Sequence, residues 1–468
     1  MITFNSDLLN CACDKFLRID VKYYSAINED KCNLFNTVNN VSLADILEED
    51  YHLCPYIENV EYKGIPTGQS YIDEDGQIID YQSVSRDNHP GRLKYIVTQD
   101  NILLSSLRLA KSPALNFNLE NLDEYVFSNG FYIFRVKSGW EKKFVLYLLR
   151  SKKLKSLLDN NIYRGIGISS YRLEDLFKIE VKKITIEAQK KALSRISPIE
   201  RNITDLKNSI KDIQDIVDEV LQKEFHFDYE KFNQLKEEKD FKMSLTSFSL
   251  NPDLRFSVKF HRPAGDFVIQ ELLKITSKKF KHFLAEPIVL GASVSPSDFD
   301  EKGECYYLSM ATIKNWMFER ENAQTVSNSY VNNNLVKTIK NGDIILARSG
   351  EGTIGKVALI EDLNVRAVFA DFTMRIRLKK YNAKFAYYYM RSTYFQYLVE
   401  IYKKGLGNNT NIFPIAVREL PLIDISLSEQ ERIVKEIQTE IDKQNATKNQ
   451  ISLLREQIDK IIVDTINS

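Results

Sequence analysis

The stretch that decides the fold lies between residues 192 and 220 and reads ALSRISPIERNITDLKNSIKDIQDIVDEV. Its apolar residues recur at alternating intervals of four and three, which is the a/d spacing of a coiled-coil helix. This first seam consists of Ala192, Ile196, Ile199, Ile203, Leu206, Ile210, Ile213, Val217 and Val220. The spacing predicts one rigid helix of about 43 Å. Ser197-Pro198-Ile199-Glu200 has a capping-box form, so the helix is expected to be kinked there or to begin again there.

A second seam lies 241 residues further along the chain, in the same register. Its positions are Ile433, Ile437, Glu440, Gln444, Thr447, Ile451, Leu454, Ile458 and Ile461. The three polar positions cost stability but can fix the register against a partner. A solitary amphipathic helix on a core is the alternative for either segment, but two equivalent seams favour pairing. The residues expected to pair are Ile196, Ile199, Ile203, Leu206, Ile210 and Ile213 with Ile451, Leu454, Ile458 and Ile461, and Ser428 is expected to mark the start of the second helix.

Shorter matches with nearly the same offset predict that the whole chain is duplicated. They are Leu17–Tyr23 with Leu254–Phe260, Asp100–Leu104 with Gly342–Leu346, Gly165–Gly167 with Gly405–Gly407, and Ala188-Gln189 with Glu429-Gln430. Short β-branched runs separated by Gly and Asn turns predict that both halves are mixed α/β domains. The expected boundaries are 1–185 for a first domain, 186–225 for the first helix, 226–250 for a connector, 251–425 for a second domain and 426–468 for the second helix.

The composition predicts a cytoplasmic protein with reduced thiols. No apolar run approaches the roughly 20 residues of a membrane span, and the N-terminus lacks the pattern of a signal peptide. The five cysteines form no Cys-x-x-Cys pair, so neither a disulfide framework nor a zinc site is indicated. The 64 basic and 64 acidic residues argue against a protein that coats nucleic acid indiscriminately. Basic residues nevertheless predominate between Phe372 and Lys404, where Glu400 is the single acid.

The sequence contains no complete catalytic motif. Residues 350–356 have the glycine and lysine spacing of a phosphate-binding P-loop, but Val357 stands where a Ser or Thr must hold magnesium. The following apolar run is typical of a strand, so a glycine-rich hairpin turn is the better interpretation. The paired-proline motif and the glycine loop of an adenine methyltransferase are both missing. We therefore predict a protein that binds and does not catalyse, with no cofactor of its own.

The motif order of the second half resembles that of the specificity subunit of type I restriction-modification enzymes. The motifs are Gly342–Gly350, Ile354-Gly355-Lys356, Gly405–Asn411, Leu420-Pro421-Leu422 and Ser428–Ile433, and the first half follows the same plan in Ile102–Arg108, Ser128–Phe131 and Gln189. Departures are Ile423 in place of a second proline, the lack of any such proline in the first half, and Ala188 in place of a glutamate.

The resemblance implies two recognition domains held apart by the two helices, which would pack as an antiparallel coiled coil. Each domain would read one half of a split site in double-stranded DNA. The helices would dock two modification (methyltransferase) subunits, and restriction (nuclease) subunits would join them. S-adenosylmethionine, ATP and Mg²⁺ are expected on those partners and not on this chain, and no membrane is involved.

DNA contacts are predicted around the hairpin, on a glycine-hinged loop, at the matching place in the first half and in the basic stretch. The residues are Arg348, Lys356, Asn408, Asn409, Thr410, Ser105, Ser106, Arg108, Arg375 and Arg377. Loop Asn and Ser are also common turn formers, and exposed Arg is commonly only solvated. A coiled-coil scaffold that never meets DNA is an alternative function, and a fused methyltransferase-type enzyme is disfavoured by the missing motifs.

Overall fold

The computed structural model describes residues 39–67, 70–107, 121–158, 170–246, 255, 257–350, 352–364, 366–405 and 410–468. The chain divides into two compact units. The first unit comprises Met1–Ser209 with Lys448–Ser468, and the second comprises Ile210–Thr447. Each unit therefore combines a mixed α/β body with part of the long helices.

The first unit contains the strands β1 to β10 and the helices α1 to α5. The strands are β1 (Asn40–Ser42), β2 (Leu47–Glu49), β3 (His52–Leu53), β4 (Glu61–Ile65), β5 (Gln82–Ser85), β6 (Leu93–Ile96), β7 (Asn101–Ser105), β8 (Tyr125–Ser128), β9 (Phe131–Val136) and β10 (Glu180–Lys182). The helices are α1 (Leu43–Ile46), α2 (Lys142–Arg150), α3 (Lys152–Leu157), α4 (Leu173–Phe177) and α5 (Ile186–Ser209).

The second unit contains the strands β11 to β17 and the helices α6 to α14. The strands are β11 (Val289–Leu290), β12 (Cys305–Leu308), β13 (Gln324–Val326), β14 (Ile344–Ala347), β15 (Val357–Leu359), β16 (Ala367–Phe369) and β17 (Thr373–Ile376). The helices are α6 (Ile213–Phe225), α7 (Tyr229–Glu237), α8 (Val258–His261), α9 (Pro263–Leu273), α10 (Phe280–Phe283), α11 (Asn328–Asn333), α12 (Ala383–Arg391), α13 (Thr393–Tyr402) and α14 (Pro414–Glu419). The last helix, α15 (Leu427–Asn467), contributes residues to both units.

The sheets of the two units differ in their number of strands but share a common set of strand pairings, which confirms the predicted duplication. In the first unit β9 lies between β2 and β7, and in the second β17 lies between β11 and β14. All four pairings are antiparallel. Each unit also has a parallel pair, β4 with β8 and β12 with β16, and in each an antiparallel strand flanks that pair. The fold class is therefore mixed α/β in both halves.

One buried glutamine in each unit ties the long helix to the α/β body. Gln189 accepts a hydrogen bond from the backbone N–H of Glu141, at 2.7 Å, and donates to the carbonyls of Gly139 and Ile184. Gln430 accepts from the N–H of Asn382, at 2.8 Å, and donates to the carbonyl of Ile425.

These two glutamines explain a short sequence match. Glu141 and Asn382 precede α2 and α12, so each glutamine satisfies an orphan N–H at a helix start. The sequence match of Gln189 with Gln430 thus reflects the same hydrogen bond to a helix start in both units.

The first seam helix is interrupted at a different place from the one expected at Ser197–Glu200, because α5 ends at Ser209 and α6 begins at Ile213. Asp212 has extended backbone angles ahead of α6, and the N–H of Lys211 donates to the Gln444 side chain at 3.2 Å. The polar residue at seam position 444 therefore accepts a hydrogen bond from a backbone N–H between α5 and α6. In contrast, Pro198 neither ends nor restarts α5, and the Ser197 hydroxyl bonds the Leu193 carbonyl.

Within the second unit, α6 runs antiparallel to the first part of α15. Glu224 accepts a hydrogen bond from Arg432 at 2.9 Å, and Lys223 pairs with Glu436. Lys211, which precedes α6, contacts Gln444. The residue numbers of the contacts on α15 therefore decrease as those on the α6 side increase, as antiparallel helices require. Ile213 is half-buried beside the core that contains Ile433 and Ile437.

Within the first unit, α5 and the last part of α15 bury their seam residues. Ile196, Ile203, Ile451, Ile458 and Ile461 are buried, whereas Ile199, Leu206 and Leu454 are half-buried. Ile210 is also half-buried, but it lies after the end of α5 and belongs to the second unit. An acidic loop binds both helices, because Asp75 accepts hydrogen bonds from Arg455 on α15, at 2.7 and 2.8 Å, and pairs with Lys207 on α5.

Three further expectations are corrected or tested by the structure. The connector 226–250 contains α7, whose Phe232 is buried in the core of the second unit. The start of α15 is capped by Ser426, whose hydroxyl and N–H both bond Glu429, and not by Ser428. Along the described parts of the chain, no helix combines the length and apolar character of a membrane span.

Candidate nucleic-acid interface

The strands β14 and β15 form an antiparallel hairpin whose turn carries Arg348 at one end and Lys356 at the other. Gly350, Gly352 and Gly355 have φ values of +83°, +78° and +88° in this turn. Only glycine adopts such angles without strain, so the glycines serve the turn. Since a strand follows Lys356 where a phosphate-binding helix would have to begin, the predicted hairpin is confirmed and the P-loop interpretation fails.

Described residues that follow positions 406–409 contact the hairpin through hydrogen bonds. The N–H of Ile412 donates to the carbonyl of Arg348 at 2.9 Å, and the hydroxyl of Ser349 donates to the carbonyl of Thr410 at 3.3 Å. Lys404 and Asn411 exchange two backbone hydrogen bonds of 2.8 Å. The structure thus places Arg348 and Thr410 near each other at this end of the hairpin, and their assignment as DNA contacts stays a prediction.

Two cationic side chains lie at this end of the hairpin. Arg348 is half-buried, and its Nε donates to the carbonyl of Asp371 at 3.0 Å. Its guanidinium lies 5.8 Å from the centre of the Phe372 ring. Within the described residues, the ammonium of Lys356 makes no hydrogen bond or ion pair. Both groups can therefore offer charge to an anionic partner such as a DNA phosphate.

The remaining loop predictions are placed only in part. Thr410 is buried, and its hydroxyl has no hydrogen-bond partner among the described residues. Asn408, Asn409 and Arg108 lie outside the described residues. Their assignment as DNA contacts stays a prediction.

Ser106 occupies the place in the first unit that Arg348 occupies in the second. The N–H of Ser106 donates to the carbonyl of Gly130, and its own carbonyl accepts from the N–H of Tyr171. Arg348 makes the same two backbone bonds, with Phe372 and Ile412. The two halves thus present different side chains from one backbone framework.

The side chains of the two predicted serines bond within the first unit. The hydroxyl of Ser106 donates to Gly130 at 2.7 Å. Ser105 is buried, and its hydroxyl accepts from the N–H of Leu107 at 3.2 Å. Ser105 is therefore placed to shape the turn, whereas Ser106 lies at the surface end of the framework.

The structure argues against Arg375 and Arg377 as DNA contacts, because both guanidinium groups are occupied by the fold. Arg375 is buried and bonds Glu286 and the carbonyl of Thr338. Burial lowers the pKa of Arg375. Arg377 makes a bidentate pair with the buried Asp343, 2.6 Å to each oxygen, and these hydrogen bonds raise the pKa of Arg377.

The first unit repeats the Arg377 arrangement with other partners. Arg135 donates to Asp50 at 3.0 Å, and Asp50 also accepts from the buried Asn101, at 2.7 Å. Arg135 on β9 lies opposite Asn101, the first residue of β7. In the second unit, Arg377 directly follows β17 and lies opposite Asp343, which directly precedes β14. An arginine at this place therefore forms an ion pair with an acid close to the start of β7 in the first unit and of β14 in the second.

Phe372 was missed by sequence reasoning. Its phenyl ring is 47% exposed next to the Arg348 guanidinium. Placing Gly130 opposite Phe372 in the duplication would have drawn attention to it, because the first half has no side chain there. Within the described residues, no group of three or more His, Cys, Asp or Glu side chains could hold a metal ion.

Residues 288–454 match the family model of the type I restriction modification DNA specificity domain. The matched range contains the hairpin, the loop and most of the paired part of α15. No curated protein gives a significant match.

Solved structures with similar chains include one described as "Structural basis underlying complex assembly and conformational transition of the type I R-M system", at 13% identity, with a TM-score of 0.47 and coverage of 92% of this chain and 97% of that chain. The HsdS subunit from Thermoanaerobacter tengcongensis is 13% identical, with a TM-score of 0.34 and coverage of 92% and 96%. The type I restriction-modification S subunit from M. genitalium is 14% identical, with a TM-score of 0.36 and coverage of 92% and 97%. The resemblance seen in the motifs is confirmed by the family model, which matches residues 288–454 to the type I restriction modification DNA specificity domain.

Proposed function

We propose that this chain is the non-catalytic specificity subunit of a type I restriction-modification complex and that its two units read the two parts of a split DNA target. The observation that carries the proposal is the shared framework around Ser106 and Arg348. A backbone arrangement used twice, with different side chains at its exposed end, suits two readers of different short sequences. The DNA specificity domain matched over residues 288–454 supports the same conclusion.

The charge distribution suits a reader that binds DNA locally. The formal net charge of the chain is zero, so phosphate contacts must come from particular cations and not from the whole surface. Lys356 would hold the backbone, because its ammonium makes no hydrogen bond or ion pair within the described residues. Arg348 would reach a base edge or a phosphate with the terminal amino groups of its guanidinium.

We further propose that the paired helices dock two modification subunits, which carry S-adenosylmethionine, and that restriction subunits with ATP and Mg²⁺ join them. The type I restriction modification DNA specificity domain matched over residues 288–454, which extends into α15, supports a role in such a complex.

The test is DNA binding by the chain assembled with its modification subunits, on a duplex whose target has first been read from the methylated genome. Lys356→Ala should weaken binding to all sequences alike and lower the salt slope by about one. The matched control is Lys302→Ala, which removes an exposed lysine of the second unit that lies outside the paired helices. An assembled complex that prefers no sequence, or that binds duplex DNA no better than the modification subunits alone, would favour the scaffold alternative.

A further inference from the structure

The hairpin end of the second unit presents an aromatic ring next to an arginine. Phe372 follows Asp371, whose carbonyl fixes the Nε of Arg348 at 3.0 Å. The backbone of Phe372 is fixed too, because its carbonyl accepts the N–H of Arg348 at 3.0 Å. The backbone that carries the ring is therefore fixed by hydrogen bonds at the surface, and 47% of the residue is exposed.

In the first unit, Gly130 occupies the position of Phe372, and Thr67 leaves no room there for a side chain. There the carbonyl of Gly130 accepts the N–H of Ser106 at 2.9 Å, as the carbonyl of Phe372 accepts that of Arg348. A Cβ added at Gly130 would lie 2.8 Å from Cγ2 of Thr67. A side chain at this position would thus require Thr67 to shift, whereas the second unit displays a phenyl ring. The frame is common to both units and the exposed groups differ.

We propose that Phe372 determines specificity in the second unit by making an apolar contact with bases of its half-site. This inference rests on the proposed function. A phenyl ring can pack against the methyl group of thymine or between two base pairs, and both contacts depend on the base sequence. Arg348 beside the ring supplies the charge that draws the phosphate backbone to the same place.

DNA fits this surface better than an apolar protein face does. Arg348 and Lys356 lie at the two ends of the turn, and both are positively charged. A protein partner would have to bury these cations against acids of its own, whereas DNA offers phosphates along its whole length. Docking of a modification subunit on Phe372 is the other outcome that the experiment must separate.

The experiment measures methylation by the assembled complex on duplexes that carry each single-base change in either half-site. Phe372→Ala should reduce discrimination about tenfold at one position or two adjacent positions of one half-site, since a good base contact is worth about that factor. The other half-site should be read as before. Phe372→Tyr keeps the ring and should restore most of the discrimination. Val336→Ala is the matched control, because Val336 is 74% exposed in the same unit.

Three outcomes would overturn the proposal. Full discrimination by Phe372→Ala at every position would show that the ring reads no base. Weaker assembly with the modification subunit, measured by size-exclusion chromatography, together with intact discrimination would assign the ring to a protein interface. Loss of discrimination in both half-sites would mean a composite surface. A wild-type complex without any site preference would instead refute the proposed function, so the two failures are distinguishable.

Discussion

Replacing Gln430 by alanine should loosen the second unit, because this buried side chain satisfies two backbone groups that have no substitute partner. Its Oε1 accepts the N–H of Asn382 at 2.8 Å, and its Nε2 donates to the carbonyl of Ile425 at 2.9 Å. Asn382 stands at the start of α12, whose side chains fill the core. The substitution thus acts on a helix start and on the approach to α15 at once.

The size of the effect follows from the two orphaned groups. A buried N–H or carbonyl without a partner costs about 1–3 kcal/mol, so the free energy of unfolding should fall by roughly 3 kcal/mol if part of the cost is relieved by water. For a unit of this size, that loss corresponds to a fall in the melting temperature of about 6–12 °C.

Hydrogen exchange followed by mass spectrometry measures the effect in each unit separately, which a single unfolding curve of two units does not. Peptides from α12 should exchange faster in Gln430→Ala, and Gln189→Ala should have the same effect on α2. The control is Gln457→Ala, an exposed position on α15. If Gln430→Ala exchanged no faster than Gln457→Ala, the glutamine would not hold the helix start and our reasoning would be refuted.

Two further predictions concern pH and nucleotides. Burial would raise the pKa of Asp75, but hydrogen bonds from Arg455 and Lys207 outweigh it and leave that pKa below its ordinary value. Asp75 therefore stabilises the first unit at pH above the ordinary value of an aspartate, and this contribution disappears as the pH falls through the lowered value. Thermal unfolding should find Asp75→Asn less stable than wild type near pH 7 and nearly equal to it at acid pH, and an equal deficit at both would be contrary to the assignment. Titration calorimetry of the chain with ATP and Mg²⁺ should give no heat, and a micromolar constant abolished by Lys356→Ala would restore the P-loop interpretation.

The duplication and the hairpin were predictable from the sequence because both depend on local pattern. The offset that relates Ile102–Leu104 to Ile344–Leu346 reappears in the pairing of β7 and β14 with their neighbours. The glycines of residues 350–355 have the positive φ values that a tight turn requires. Local pattern also ranks two helix starts equally, since Ser426 and Ser428 each precede a glutamate by three residues. Only the structure shows that Ser426 bonds Glu429.

The break in the first helix was not predictable from the spacing of its apolar residues. Ile210 and Ile213 keep the interval of three across the break, so the seam continues while the helix does not. The side chain of Gln444, far along the chain, accepts a hydrogen bond from the N–H of Lys211. This bond compensates a backbone group that the break leaves without a partner inside the helix.

The prediction of DNA contacts in the basic stretch between Phe372 and Lys404 also depends on contacts that the local sequence does not show. Few acidic residues lie near Arg375 and Arg377 in the sequence. In the structure, Arg375 pairs with Glu286 and Arg377 pairs with Asp343, although both acids are distant in sequence. Contacts between residues far apart in sequence therefore decided which arginines remain for a partner.

The most direct test of the central claim is the methylated sequence in cells that express this chain with its modification subunit. Wild type should produce one two-part motif with unread bases between its parts. Exchange of residues 14–185 for the equivalent domain of a relative should change one part and leave the other, because each half carries its own framework. Methylation without any motif, or an exchange that rewrites both parts, would contradict the account of two independent DNA readers on one chain.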